Sequence, residues 1–145
     1  EFRRVLVRSQ YYVVAFVFFC PIRLFSGGFH AKTYWGCFFI SFATLWVIII
    51  IGKYISMNIV TSILVLTISI LFVCIFSPVD NINKRIKSKD RKKKLKYFSV
   101  VTTFLLSGLC YLIPDIFFTT AVLSIFVAVI MMIMGIFTYP FQKGD

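Results

Sequence analysis

SPVDNINKRIKSKDRKKKLK, residues 77–96, carries Lys84, Arg85, Lys87, Lys89, Arg91, Lys92, Lys93, Lys94 and Lys96 against only Asp80 and Asp90. Nine positives minus two negatives leave +7 in one stretch of a chain whose whole formal charge is +11. On both sides the sequence is strongly apolar. Hydrophobic residues make up 60% of the 145 residues and charged ones 14%, against about 45–50% and about 25% in soluble domains. The composition reads as an integral-membrane protein, with no soluble domain to be cut from it. A basic protein often signals nucleic acid, but a basic loop between apolar spans is first a cytoplasmic topology marker. No nucleic acid partner is expected. Membrane lipids, anionic ones in particular, or an acidic peptide suit the charge.

A spanning helix needs about 20 mostly apolar residues, within roughly 17–25. Working outward from the basic stretch, five segments meet or approach this length. They are Val5–Phe25, Thr33–Ile51, Ser56–Phe76, Tyr97–Ile113 and Ile116–Tyr139. The first contains Arg8, Gln10 and Pro21, so it reads either as a span or as a re-entrant segment. Gly27-Gly28 ends it. Gly52-Lys53 is expected to turn the chain between the second and third segments, and Pro78 to stop the third. Pro114 separates the fourth from the fifth, with Asp115 as a candidate N-cap. The fold class is all-α: a polytopic transmembrane helical bundle of about five segments, in one integral-membrane domain over residues 1–145 with a basic cytoplasmic loop at 77–96. The chain opens on Glu1 rather than Met and shows no signal peptide, so it reads as N-terminally truncated.

Placing 77–96 in the cytoplasm orients the rest. The third segment then runs outside to inside and the second inside to outside. The start of the second lies at the cytoplasmic face, and the turn at Pro114 lies outside.

That start holds the chemistry. RLFSGGFHAKTYWGC, Arg23 to Cys37, contains His30, which is the sole histidine, and Cys37. A thiol and an imidazole are the minimum parts of a nucleophile and its base. On one straight helix, residues seven apart are separated by about 10.5 Å along the axis, so a working pair needs a bend between them. His30 is therefore expected in a loop or frayed turn, with Cys37 in the first turns of the second helix and Thr33 as its N-cap. A helix N-terminus favours a thiolate, and Lys32 adds positive charge. Cys20, Cys74 and Cys110 lie inside apolar runs and read as small hydrophobes. The spacing matches no metal motif, and neither metal nor cofactor is expected.

The run from Arg23 to Cys37 resembles the signature of the accessory gene regulator B (AgrB) family, integral-membrane cysteine peptidases of bacterial quorum sensing. Arg23, Gly28, His30, Ala31, Lys32 and Cys37 stand at the matching spacing. SPVDNINKRI (Ser77 to Ile86) with RKKKLKY (Arg91 to Tyr97) resembles the family further along. Family members extend further at the N-terminus, with an amphipathic segment and another membrane helix.

The resemblance implies a cysteine endopeptidase in a bacterial cell membrane. Cys37 and His30 would be its catalytic dyad, at the cytoplasmic face. The partner implied is an AgrD-like precursor peptide; a second copy of the chain is a further candidate. The enzyme would cut off the precursor's C-terminal tail through a thioester on Cys37 and promote closure of the remainder to a thiolactone or lactone. Lys92, Lys93 and Lys94 would steer an acidic tail. Arg23, Gly27, Gly28 and Lys32 would bind substrate or support the site, and Asp80 would orient His30 or cap a turn. The alternative class is a membrane transporter or export component for a small peptide, without peptidase activity. Transporters place ionisable residues near the bilayer middle; here they sit at segment ends, apart from Arg8.

Overall fold

Pro21 lies inside the first helix without breaking it. The computed structural model describes residues 1–27, 33–79 and 87–142, the side chains through 138. In it α1 is one continuous helix over Phe2–Ser26, with Pro21 in its last two turns. At about 1.5 Å per residue it is about 37 Å long, enough to cross a hydrocarbon core of about 30 Å. Of the two alternatives, its length and continuity fit a span. Proline costs a helix one backbone hydrogen bond, a loss that spans tolerate when neighbouring helices re-satisfy the backbone.

The second helix, α2, runs Tyr34–Tyr54. Thr33 caps it, its side-chain oxygen accepting the Gly36 N–H at 3.2 Å. The turn expected at Gly52-Lys53 falls later, at residues 55–58. Gly52 serves packing instead: a Cβ there would stand 3.1 Å from the Thr120 Cα, so the glycine lets two helix backbones approach. α3 spans Ile59–Phe76, and the chain leaves it through Ser77 and Pro78.

The basic stretch is also corrected. Its last residues, from Lys89, form the opening turns of α4, Lys89–Cys110. Lysine and arginine are good helix formers, and the apolar run that follows anchors their helix in the bundle. α5 spans Asp115–Gln142. Asp115 is its first residue rather than its cap, and the Pro114 carbonyl accepts the Phe117 N–H at 2.9 Å. An acid in the first turn still complements the helix dipole.

α5 is the axis of the bundle and packs against each of the other four helices. Its apolar window is 61% buried, whereas those of α1, α2 and α3 are 28%, 11% and 22% buried. The main core joins Phe18, Phe19 and Ile22 of α1 to Ile48, Leu106, Cys110, Val122 and Ile125. Buried hydroxyls accompany it. Thr103 donates to the Ser99 carbonyl, Ser107 to that of Thr103 and Ser124 to that of Thr120, at 2.7–2.8 Å. Small residues of this kind let membrane helices approach without leaving a polar group exposed to lipid.

Cross-contacts show which ends meet. At one end the Tyr11 hydroxyl donates to the Ile116 carbonyl at 3.3 Å, and the Met57 N–H to Thr119 Oγ1 at 3.1 Å. At the other, Phe25 stacks on Phe98 at 5.8 Å, and the Val79 N–H donates to the Ser26 carbonyl at 2.9 Å. So α1, α3 and α5 run one way, and α2 and α4 the other. Among the described residues, four helices (α1, α2, α3 and α5) are long and apolar enough to cross a membrane. The basic turns of α4 leave it an apolar part of Tyr97–Cys110, about 21 Å at about 1.5 Å per residue. The chain is an all-α, multi-pass membrane bundle.

Candidate functional site

A polar contact joins the last turn of α1 to the first turn of α2. Arg23 Nη2 donates to Cys37 Sγ at 3.7 Å. Arg23 is also held by its own helix, the guanidinium lying 5.5 Å from the centre of the Phe19 ring. Residues four apart share a helix face, and the cation–π contact fixes where the guanidinium points.

Cys37 is placed by the cap. Its N–H donates to the Thr33 carbonyl at 3.1 Å, closing the first turn of α2, and its own carbonyl accepts the Ser41 hydroxyl at 2.8 Å. The side chain is half-buried. The sulfur therefore stands by a helix N-terminus, with a guanidinium in contact. Both present positive charge to the atom that must carry negative charge when a thiol acts as nucleophile. None of the four cysteines is in a disulfide.

The end of α1 is pinned from below. Gly27 closes the helix at φ 74°, a left-handed value that favours glycine. A Cβ on Gly27 would come 2.5 Å from the Val79 carbonyl oxygen. With the Ser26–Val79 hydrogen bond, this brings the segment after α3 directly against the turn that leads out of α1.

Beside these residues lies a half-open cavity of about 750 Å³ between α1, α2 and the start of α4. Its wall is mostly apolar, with Phe16, Phe19, Phe38, Phe42, Leu45 and Leu95 prominent; Tyr12, Arg23 and Ser41 are the polar side chains among its lining residues. That volume falls in the range of about 300–1,000 Å³ usual for ligand sites.

Of the residues singled out from sequence, Arg23 and Cys37 are brought into contact. Gly27 stands at the α1 cap. Lys92, Lys93 and Lys94 are exposed on the first turns of α4, the helix whose Phe98 packs on Phe25, so they share the Arg23–Cys37 end of the bundle. His30, Gly28, Lys32 and Asp80 lie outside the described residues. α2 begins at Tyr34, so Cys37 lies in its first turn, as expected. Sequence reasoning passed over Phe19, Ser41 and Phe42. The i, i+4 pairing of Phe19 with Arg23 was the available signal for the first. Cys20, read as a small hydrophobe, packs against the main core as such and also lines the cavity.

This arrangement defines a class: a multi-pass membrane protein with a half-buried thiol at a helix N-terminus, in contact with an arginine and beside an apolar cavity. A family model described as Accessory gene regulator B matches residues 5–138, and the chain belongs to that family. Membership associates it with the processing of accessory gene regulator quorum-sensing peptides, with a peptide precursor as the general class of substrate. No match was found among curated proteins or among solved structures.

Proposed function

We propose that this chain is a membrane cysteine endopeptidase that removes the C-terminal tail of an AgrD-like precursor and promotes cyclisation of what remains. The observation that carries the reading is the Arg23–Cys37 contact at 3.7 Å, with Cys37 in the first turn of α2. Of the four cysteines, Cys37 alone combines a helix N-terminus with contact from a cation. Cys110 is buried in the core, and Cys74 lies in the apolar body of α3.

In this mechanism the Cys37 sulfur attacks the carbonyl carbon at the junction with the tail. His30 takes the thiol proton and passes it to the leaving amine as the C–N bond breaks. The tail departs, and the remainder stays on Cys37 as a thioester. A cysteine or serine within the peptide then attacks the same carbonyl. The bond to the Cys37 sulfur breaks, and the proton of the attacking group returns by way of His30 to the Cys37 thiol. The product is a ring. Tethering gives the internal nucleophile a high effective concentration, and an apolar setting limits hydrolysis of the thioester. Arg23 stabilises charge on the Cys37 sulfur in both halves of the cycle. The basic turns of α4 attract an acidic tail towards this end of the bundle, which is the cytoplasmic one by the positive-inside rule.

The test is co-expression of the protein with its precursor and detection of tail release. Cys37→Ser and His30→Ala are each expected to abolish it. Release that survives both substitutions refutes the assignment, and release lost only on substituting Cys20, Cys74 or Cys110 moves the nucleophile elsewhere.

A further inference from the structure

The cavity has a second property that peptide cleavage does not use: it opens between two membrane spans at the most basic end of the bundle. The apolar window of α2 is only 11% buried, and the cavity of about 750 Å³ lies between α2, α1, the segment after α3 and the start of α4. Aromatic rings make up much of the wall, from Tyr12 and Phe16 on α1 to Phe38 and Phe42 on α2. Arg23 lines it, and so does Leu95, which follows directly on Lys92, Lys93 and Lys94.

A half-open apolar crevice at bilayer depth meets acyl chains rather than water. A cation in its wall and a run of cations beside it select for a negative headgroup. We infer that the cavity binds an anionic phospholipid, with one acyl chain between α1 and α2 and the phosphate at the level of Arg23 and the first turns of α4. Charge complementarity favours this occupant over a neutral lipid. The continuity of the crevice with lipid-facing surfaces favours it over an apolar peptide segment. The exposed rings of Phe38 and Phe42 belong to both surfaces, so a chain can enter sideways from the bilayer. The inference is independent of the peptidase reading.

The test uses the full chain in vesicles of phosphatidylcholine with roughly one-quarter phosphatidylglycerol, enough to give the surface a negative potential. One of the two lipids carries a photoactivatable acyl chain, and the cross-linked residues are mapped by mass spectrometry. Labelling is expected to concentrate on Phe16–Leu24 and Phe38–Leu45, about fivefold or more stronger from phosphatidylglycerol than from phosphatidylcholine. Arg23→Gln is expected to reduce that preference about fivefold, the effect of one cation near an anionic surface. Lys93→Gln with Lys94→Gln, both exposed and clear of the core, is expected to reduce it as well, which guards against misfolding of the Arg23 variant. Equal labelling by the two lipids overturns the inference, as does labelling spread evenly over the outer faces of α2 and α3. Labelling of the wall only by a photoactivatable precursor peptide overturns it too, and makes the cavity a peptide site.

Discussion

Arg23 and Cys37 are fourteen residues apart in the chain and 3.7 Å apart in space. The sequence shows each of them; the contact comes from two helices ending and starting at the same level. A hydrogen bond to a charged group contributes about 1.5–3 kcal/mol. Arg23→Leu is therefore expected to slow tail release by about tenfold or more, and to slow alkylation of Cys37 by a small haloacetamide in the same direction. Arg23→Lys should recover only part of the loss, because an ammonium lacks the planar fork of the guanidinium. Unchanged alkylation in Arg23→Leu would reduce the contact to a neighbourly one. Gly27 is the other residue whose identity is forced locally. Its φ of 74° and the 2.5 Å approach of the Val79 oxygen leave no room for a side chain. Gly27→Ala is expected to cost about 1–3 kcal/mol in strain, seen as a lower midpoint of thermal unfolding in detergent. A variant as stable as the parent would show that the turn can relax.

At the scale of elements, two glycine positions that read alike in sequence do different work. Gly27 ends a helix, as expected. Gly52 was expected to end one and instead lies buried inside α2, against Thr120 of α5. A glycine in an apolar run is ambiguous between a stop and a close approach, and only the partner helix resolves it. Gly52→Val is expected to destabilise the bundle by about 1–3 kcal/mol, the usual range for overpacking, while Gly108→Ala should be tolerated because a Cβ there meets open space. The contrast is measurable by thermal unfolding of the two variants side by side. The N-cap of α2 was legible: Thr33 precedes the apolar run and caps it. Thr33→Val is expected to cost about 1 kcal/mol and to loosen the turn that positions Cys37, with tail release falling before the fold does. The start of α4 was misread because a block of lysines resembles a loop, although lysine disfavours a helix only through mutual repulsion, which an anchoring apolar segment offsets.

For the whole molecule, the alternating course of the helices places Arg23, Cys37 and the basic turns of α4 at one end, and Tyr11, Tyr54 and Met57 at the other. With single-cysteine variants in intact cells, an impermeant maleimide is expected to label a cysteine introduced at the exposed Tyr54 and to miss Cys37. Labelling of Cys37 from outside would reverse the orientation.

The residues alone determined that this chain is a helical membrane protein, where most of its spans lie and which way charge biases them. Hydropathy and the positive-inside effect act on segments, without reference to partners. Residues alone also picked out His30 and Cys37 as chemically pointed, and the family resemblance added Arg23. Tertiary structure alone decided that α1 runs unbroken through Pro21, that α5 is the axis and that Arg23 touches Cys37. It alone decided that a cavity opens beside them. Each of these depends on which helices face one another and how closely, and that is settled by packing between segments distant in the chain.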